Sequence, residues 1–257
     1  MTLQLTAPCN FGLEAVLQRE IKQLGYEITN TMDGRVSFEG DPLAIARANL
    51  WLRTAERVLI KLGEFPATSF EELFQQVRKL PWGALLPVDA AFPVAKVNAL
   101  KSKLYSVPDI QSITKKAVVE AMKQQYGQQW FAETGAKYPI HVFLWKDVAQ
   151  IYLDTSGPTL HKRGYRRNQN LAPIKETLAA AMVMLTPWQA GRPFIDPMCG
   201  SGTIAIEAAL LGKNRAPGIG ALSSPRISPA LLDNAVGRRA CPANSPALWP
   251  PSPIPAA

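Results

Sequence analysis

The feature that most constrains the fold is an apolar run that ends in an acidic residue and leads through closely spaced glycines into an apolar helical segment. The run is Arg192 to Asp196, the glycines are Gly200 and Gly202, and the helical segment is Thr203 to Leu211. A buried strand followed by a tight turn and a helix is a recurring unit of α/β proteins. The sequence therefore predicts a strand, a glycine turn and a helix in this region.

This glycine turn is suited to bind a ligand. Glycines allow a ligand to approach the backbone closely, and the N-terminus of the following helix offers free N–H groups to an anion. No lysine follows the last glycine and the spacing is not GxGxxG, so neither a P-loop nor a dinucleotide site is indicated. Asp196, at the end of the strand, suits a cationic ligand such as the ammonium group of S-adenosylmethionine. From the residues alone, a purely structural turn is an equal alternative.

The first part of the chain predicts a small α+β domain. Leu13, Leu17, Ile21 and Leu24 line one face of a helix, with Asn10 as its N-cap and Gly25 at its end. Three further elements follow in order: a strand at Arg35 to Glu39, a helix at Pro42 to Thr54, and a β-branched and aliphatic run at Arg57 to Leu62.

A second α+β domain is predicted to begin near Ser69. Ser69 and Glu72 form a capping box, which opens a helix whose apolar side contains Leu73 and Val77. The remaining elements are strands at Phe92 to Asn98, Ile140 to Leu144 and Val148 to Leu153, and a helix at Asp109 to Tyr126. Three tryptophans, Trp82, Trp130 and Trp145, are predicted to lie in the core.

A net charge of +8 and a pI near 9.5 favour a polyanionic partner, because cationic side chains that contact phosphates release condensed counterions. The basic residues form two groups, one in the second domain and one just before a predicted helix at Pro173 to Leu185. Tyr165 lies within the second group and could stack on a base. Solvated lysines on a helix and a charged linker are the alternatives. The candidate RNA contacts are Lys101, Lys103, Lys115, Lys116, Lys162, Arg163, Arg166 and Arg167.

Other classes of function are disfavoured. No apolar stretch is long enough for a membrane span and no secretory signal is present, so we expect a cytoplasmic protein with no membrane partner. Cys9, Cys199 and Cys241 lack metal-site spacing, so we expect free thiols and no metal. The two histidines, His141 and His161, have no partners at a spacing that indicates catalysis.

A longer segment is more specific than the glycine turn alone. The run Asp196-Pro-Met-Cys-Gly-Ser-Gly-Thr203, continued by Ile-Ala-Ile-Glu-Ala-Ala, resembles the first S-adenosylmethionine motif of the THUMP-domain RNA methyltransferases. That group includes the bacterial enzyme that methylates guanine N2 in 23S ribosomal RNA. Further segments resemble the family in the same order, over residues 1 to about 219: Gly12-Leu-Glu14 with Leu24-Gly25, Ala48 to Arg57, Ser106 to Ile110, Leu160 to Arg166, and Ala172 to Glu176.

The resemblance implies three domains. They are an α+β N-terminal ferredoxin-like domain at residues 1–65, an α+β THUMP domain that binds RNA at residues 66–158, and the start of an α/β Rossmann-like methyltransferase domain at residues 159–219. Asp196, Gly200, Gly202 and Thr203 would bind S-adenosylmethionine. The implied activity is methyl transfer to guanine N2 of ribosomal RNA resembling 23S rRNA.

The sequence also departs from the family. Its catalytic signature, Asn or Asp followed by two prolines and an aromatic residue, has no match, since Trp249-Pro250-Pro251-Ser252 lacks the polar residue and the ring. Residues 220–257 are rich in proline, serine and alanine, which predicts a disordered tail and suggests an out-of-frame or truncated gene product. We therefore expect no activity from this chain alone and leave the catalytic residues unassigned. The alternatives are a non-catalytic RNA-binding module and, less favoured, a Rossmann-like enzyme that uses another nucleotide.

Overall fold

A computed structural model describes residues 2–166 and 173–219 of the 257-residue chain. The described residues form two compact units. Unit 1 contains residues 2–58, 158–166 and 173–219, and unit 2 contains residues 59–157. The predicted contacts of Arg167 and the predicted disorder of the tail at 220–257 lie outside the described residues. Within the described part of the chain, no helix is long and apolar enough to cross a membrane.

Unit 1 contains three antiparallel strands and four helices among its described residues. The strands are β1 (Leu3–Pro8), β2 (Ile28–Met32) and β3 (Arg35–Gly40), and the sheet order is β2-β3-β1. The helices are α1 (Glu14–Gln23), α2 (Pro42–Trp51), α6 (Glu176–Met184) and α7 (Thr203–Gly212). The ferredoxin-like part and the predicted start of the methyltransferase domain therefore belong to one compact unit.

The predicted apolar face of α1 is confirmed. Leu13, Leu17, Ile21 and Leu24 are all buried, and Gly25 ends the helix with a φ of 85°. Asn10 is not the N-cap as predicted, because the helix begins one turn later and Leu13 occupies that position. Asn10 contributes its backbone carbonyl instead, which accepts a hydrogen bond from Leu13 N at 3.1 Å.

Unit 2 contains four strands and three helices. The strands are β4 (Leu59–Pro66), β5 (Val94–Leu100), β6 (Ile140–Trp145) and β7 (Val148–Asp154). The helices are α3 (Phe70–Arg78), α4 (Trp82–Leu85) and α5 (Val107–Tyr126). The sheet order within the unit is β4-β7-β6-β5, in which β5 and β6 are parallel and the other pairs antiparallel. The parallel pair requires a crossover, and α5 provides it.

The cap of α3 follows the prediction with one difference. Ser69 is the N-cap, and its hydroxyl accepts a hydrogen bond from Glu72 N at 3.2 Å. The return bond to the Glu72 carboxylate comes from Thr68 N at 2.7 Å rather than from Ser69. The carboxylate therefore still satisfies a backbone donor at the start of the helix, one residue earlier than in the standard motif.

The predicted strand at Arg192 to Asp196 is wrong. These residues form no strand, and Ile195 is 83% exposed. A strand needs a neighbour that accepts and donates ladder hydrogen bonds, and no strand lies beside this segment among the described residues. The helices α6 and α7 consist mostly of apolar residues, and each exposes a large one, Met182 and Ile206. Helices of this kind are buried on both sides in complete domains.

Candidate functional site

The glycine turn adopts the backbone conformation that its residues predict. Gly200 and Gly202 have φ values of 51° and 70°, in the left-handed region that other residues rarely adopt. A Cβ atom at either position would meet nothing within 4 Å, so the space beside the turn is open. The backbone conformation, rather than crowding, is the reason for glycine at these positions.

One carboxylate oxygen of Asp196 accepts a hydrogen bond, and the other accepts none from the described residues. Its Oδ1 accepts a hydrogen bond from Met198 N at 3.1 Å, which fixes the start of the turn. Its Oδ2 is shielded from solvent and accepts no hydrogen bond from any described residue. An unsatisfied buried acceptor costs free energy unless a ligand or water supplies a donor. Asp196 is thus prepared to accept from a donor that enters the turn.

The N-terminus of α7 continues the turn. Gly202 is its N-cap and has no side chain, so no side-chain cap satisfies the first N–H groups of this helix among the described residues. Thr203 is buried, and its hydroxyl lies 2.9 Å from Ser201 Oγ and accepts a hydrogen bond from Arg166 Nη2 at 3.0 Å. Free N–H groups and a nearby guanidinium both favour an anionic ligand group at this end of α7.

Arg166 lies beside this turn rather than on an open surface. Its guanidinium donates to Ile174 O at 3.1 Å and lies 3.4 Å from the carboxylate of Glu176 in α6. Both contacts are within unit 1 and leave the side chain 22% exposed. The RNA contact predicted for Arg166 stays a prediction, while the structure places its charge at the N-terminus of α7.

The prediction that Arg163 contacts RNA is corrected by its burial. Arg163 is 2% exposed, and its Nη1 donates to the carboxylate of Glu207 in the middle of α7. Its Nη2 donates to the backbone carbonyl of Arg53. Tyr165 is part of the same cluster, because its hydroxyl donates to Glu207 Oε1 at 2.8 Å. Sequence reasoning missed this cluster, because Glu207 is a single acidic residue in an otherwise apolar helix.

Burial is the largest cause of the pKa shifts of Glu207, Tyr165 and Arg53. Burial raises the pKa of Glu207 above the usual carboxyl range, although Arg163 and Tyr165 oppose the change. Burial and then the charge of Glu207 raise the pKa of Tyr165, so the phenol keeps its proton. Burial lowers the pKa of Arg53 to about 10, which still leaves the guanidinium charged at neutral pH.

Four of the predicted RNA contacts lie in unit 2, and they differ in their surroundings. Lys101, Lys103 and Lys116 are exposed. Lys115 is half-buried: its Nζ lies 2.5 Å from Glu133 Oε1 and 3.6 Å from the centroid of the Phe92 ring. Lys115 is therefore engaged inside the unit, whereas the other three side chains face solvent. In unit 1, Lys162 is also exposed.

Two exposed aromatic residues were not predicted as surface residues. Tyr105 follows Lys101 and Lys103 in the loop between β5 and α5 and is 81% exposed. Trp130, which was predicted to be in the core, is 75% exposed. Trp145 is also partly exposed, at 39%, with Lys146 Nζ at 4.6 Å from its ring. Only Trp82 of the three predicted core tryptophans is fully buried.

The two described cysteines differ in their surroundings. Cys9 is buried, which raises the pKa of its thiol to about 12, and Cys199 is exposed in the glycine turn. No group of three or more potential metal ligands occurs among the described residues. A cavity of about 170 Å³ lies between α1, the end of α2, and the C-terminal ends of α6 and α7, and the turn residues do not line it.

Three family models match the chain in sequence order. The RlmL ferredoxin-like domain matches residues 4–59, the THUMP domain matches residues 67–154, and the RMKL-like methyltransferase domain matches residues 163–234. The first and third of these matches fall mainly in unit 1, and the second falls in unit 2.

Known relatives are similar to most of this chain. The protein of Bacillus subtilis (strain 168) named "Putative RNA methyltransferase YpsC" is 55% identical over 219 residues, which are 84% of this chain and 56% of the relative. A crystal structure from Listeria monocytogenes, described as "a predicted N6-adenine-specific DNA methylase", is 54% identical with a TM-score of 0.81, covering 85% of this chain and 57% of that one. The structure of SMU.472, "a putative methyltransferase complexed with SAH", is 44% identical with a TM-score of 0.80, covering 91% and 63%.

The fold and the glycine turn define a chain with a ferredoxin-like domain, a THUMP domain and part of a Rossmann-like methyltransferase domain. Over these domains the chain is similar to proteins described as RNA methyltransferases and methylases. It spans a little over half the length of the Bacillus relative.

Proposed function

We propose that this chain binds S-adenosylmethionine at the turn from Asp196 to Thr203 and RNA through exposed basic residues, as part of an RNA methyltransferase. The observation that carries the proposal is the unsatisfied Oδ2 of Asp196 beside two left-handed glycines and an uncapped helix N-terminus. An acceptor and a set of free backbone donors at one turn match the ammonium and carboxylate groups of an amino-acid moiety. The proposed cofactor residues are Asp196, Gly200, Gly202 and Thr203.

The polar groups of the turn match the charged groups of the cofactor. The Oδ2 of Asp196 would accept from the ammonium group, directly or through water, and the first N–H groups of α7 would donate to the carboxylate. The guanidinium of Arg166, which donates to Thr203 Oγ1, adds positive charge at the same end of the helix. The cofactor supplies a methyl group on a sulfonium centre, which is electrophilic enough to react with an amine directly.

The proposed substrate is structured RNA, and the proposed target is guanine N2 of ribosomal RNA resembling 23S rRNA. The exposed lysines of unit 2 would contact phosphates, and Tyr105 would stack on a base. Because the target is an exocyclic amine that can lose its proton after attack, no strong general base is needed. The same chemistry applies to adenine N6, which the description of the Listeria relative names. We place the activity in the cytoplasm, with its RNA substrate.

A methyl-transfer assay that identifies the product tests this proposal. The purified chain is incubated with labelled S-adenosylmethionine and unmodified ribosomal RNA, and RNA binding is measured by filter binding at several salt concentrations. We expect salt-sensitive RNA binding and no incorporated label, because no Pro-Pro-aromatic signature is present in the 257 residues. Label recovered as N2-methylguanosine would contradict the proposed inactivity of this chain but support the target. Label recovered as N6-methyladenosine would contradict the guanine target.

A non-catalytic RNA-binding module is the second candidate. It is favoured by the match of the THUMP domain to residues 67–154 in unit 2 and by the lack of a strand beside the glycine turn among the described residues. The two candidate functions differ in whether the chain must bind the cofactor. The first requires the turn to bind S-adenosylhomocysteine, the methyl-free product, and the second does not.

A further inference from the structure

The helix that carries the proposed cofactor turn is attached to the ferredoxin-like part of unit 1 at three successive places. The middle of α7 is linked through Glu207, and the residues after α7 are linked through Arg215 and Gly218. All three links lead to the end of α2 and the residues that follow it, which are Leu50 and Arg53. The sequence separation between these partners is large, so the links are tertiary contacts that orient a whole helix.

The first link passes through one guanidinium. Arg163 donates from Nη1 to Glu207 and from Nη2 to the carbonyl of Arg53, so a single planar group connects α7 to the segment after α2. The side chains of Arg163 and Glu207 are 1% and 0% exposed. A buried pair of this kind adds little net stability, because desolvation offsets the attraction, but its geometry is directional. Its main effect is therefore to fix the position of α7.

The other two links use backbone atoms of the residues after α7. Arg53 Nη2 donates to Arg215 O at 2.8 Å, and Gly218 N donates to Leu50 O at 2.9 Å. A Cβ atom at Gly218 would lie 2.8 Å from Leu50 Cα and 2.9 Å from Asn49 O, so only glycine permits this approach. The end of α7 is thus held at a fixed distance from α2.

The segment that follows α2 is held in place by α1. The carboxylate of Glu20 in α1 accepts hydrogen bonds from Arg53 N at 2.7 Å and from Thr54 N at 3.1 Å. Glu20 is buried, so water does not compete for these bonds. A buried polar connection therefore extends from α1 through Arg53 and Arg163 to Glu207, and so to the helix that begins at the glycine turn.

From this connection we infer that Arg163 and Glu207 are positioning residues for the cofactor turn, and that the ferredoxin-like domain is a structural part of the cofactor site. The inference rests on the proposed function insofar as the turn binds S-adenosylmethionine. A change at Glu207 acts through α7, because the helix N-terminus lies one turn before it. The N–H groups that would receive the cofactor carboxylate move with the helix axis.

The test separates positioning from stability. In the double variant Arg163→Met with Glu207→Met, both buried charges are replaced by apolar side chains, which often restores stability. The link to the Arg53 carbonyl is nevertheless lost. In Arg163→Lys the charge is kept, but one ammonium cannot bridge both acceptors in the same geometry. Phe38→Leu, in the buried face of β3, is the control that destabilises unit 1 away from α7.

Two readouts are compared between variants that have the same melting temperature. The first is amide hydrogen exchange of residues 200–207 in the cofactor-free chain, and the second is the affinity for S-adenosylhomocysteine. We expect faster exchange in the double variant and in Arg163→Lys, and an affinity lowered by about tenfold, which corresponds to about 1.4 kcal/mol. Phe38→Leu should leave both readouts unchanged.

Unchanged exchange and affinity in Arg163→Lys, or an equal change in Phe38→Leu, would overturn the inference. If the unaltered chain binds no S-adenosylhomocysteine, the proposed cofactor site fails instead. The exchange measurement needs no cofactor, so it still decides whether Arg163 and Glu207 position the turn.

Discussion

Arg163 and Glu207 form a buried ion pair although 44 positions separate them in the chain. Arg163 lies in the basic segment before α6, and Glu207 lies in α7, one turn beyond the glycine turn. The pair therefore joins two of the segments that resemble the family. The Arg163 guanidinium, which the sequence suggested as an RNA contact, is buried in this pair.

The titration of Glu207 makes the stability of the protein depend on pH. Because burial raises the pKa of Glu207, the folded protein holds this proton at pH values where the unfolded chain has lost it. The free energy of unfolding therefore falls as the pH rises through the folded pKa, by at most about 1.4 kcal/mol per pH unit for one group. Arg163, Tyr165, Arg53 and Glu176 are the charged and titratable groups that act on Glu207.

We expect Glu207→Gln to flatten this dependence, since glutamine does not titrate. Urea denaturation across the acidic to neutral range would measure it. A residual slope from Glu20, whose pKa is also raised by burial, should remain in the variant. Identical slopes for the two proteins would show that Glu207 titrates alike in the folded and unfolded chains.

Gly218→Ala should destabilise unit 1. The new methyl group would lie 2.8 Å from Leu50 Cα, and a backbone atom cannot move aside as the end of a flexible side chain can. The expected loss is about 1–3 kcal/mol in the free energy of unfolding. The comparison is Gly212→Ala at the end of α7, where the nearest atom is the far edge of the Trp188 ring at 3.2 Å. A smaller loss for Gly218→Ala than for Gly212→Ala would argue against the close approach to α2.

Lys115 and Lys116 are neighbours in α5, and their replacement by alanine should affect different properties. Lys115→Ala should affect stability, and Lys116→Ala should affect RNA binding. Lys115 contacts Glu133 and Phe92, so Lys115→Ala should lower stability by about 0.5–1 kcal/mol. Lys116 is exposed and its Nζ lies 5.7 Å from the centroid of the Phe74 ring, so Lys116→Ala should change stability by at most about 0.5 kcal/mol and weaken RNA binding. Thermal melts and filter binding on both variants would measure the two effects. A stability loss in Lys116→Ala without one in Lys115→Ala would contradict the structural role of Lys115.

Lys101 and Lys103 should contribute to the salt dependence of RNA binding. If both contact phosphates, the double variant Lys101→Ala with Lys103→Ala should reduce the slope of log affinity against log salt by roughly 0.7–0.9 for each lost contact. Lys22→Ala removes an exposed lysine of α1 and serves as the control for net charge. Equal slopes in the double variant and the unaltered chain would remove these two lysines from the RNA contacts.

Local patterns predicted three elements of unit 2 closely, namely β6, β7 and the start of α5. The apolar and β-branched runs gave β6 and β7 to within one residue at each end, and the long helix α5 begins two residues before the predicted Asp109. These elements can be predicted because the spacing of apolar residues differs between helices and strands, and this spacing is visible in a single sequence. In unit 1, β2 was missed because only its two end residues are even partly buried and it shows no alternation.

The arrangement around the turn could not be predicted in the same way. The turn residues follow from glycine conformation, but the partners of Arg163 depend on how α7 packs against α2. A basic run looks the same in sequence whether it faces solvent or a buried carboxylate. The strand expected before Asp196 failed for a related reason, because a strand depends on a neighbour that local sequence does not specify.

The most direct test of the account is calorimetric titration of the 257-residue chain and its Asp196→Asn variant with S-adenosylhomocysteine. The substitution keeps the shape of the side chain but removes the negative charge that would face the ammonium group. We predict that the unaltered chain binds and that Asp196→Asn binds at least about tenfold more weakly, a loss of about 1.4 kcal/mol. No binding by the folded, unaltered chain, or equal affinity in the two proteins, would contradict the proposed cofactor site.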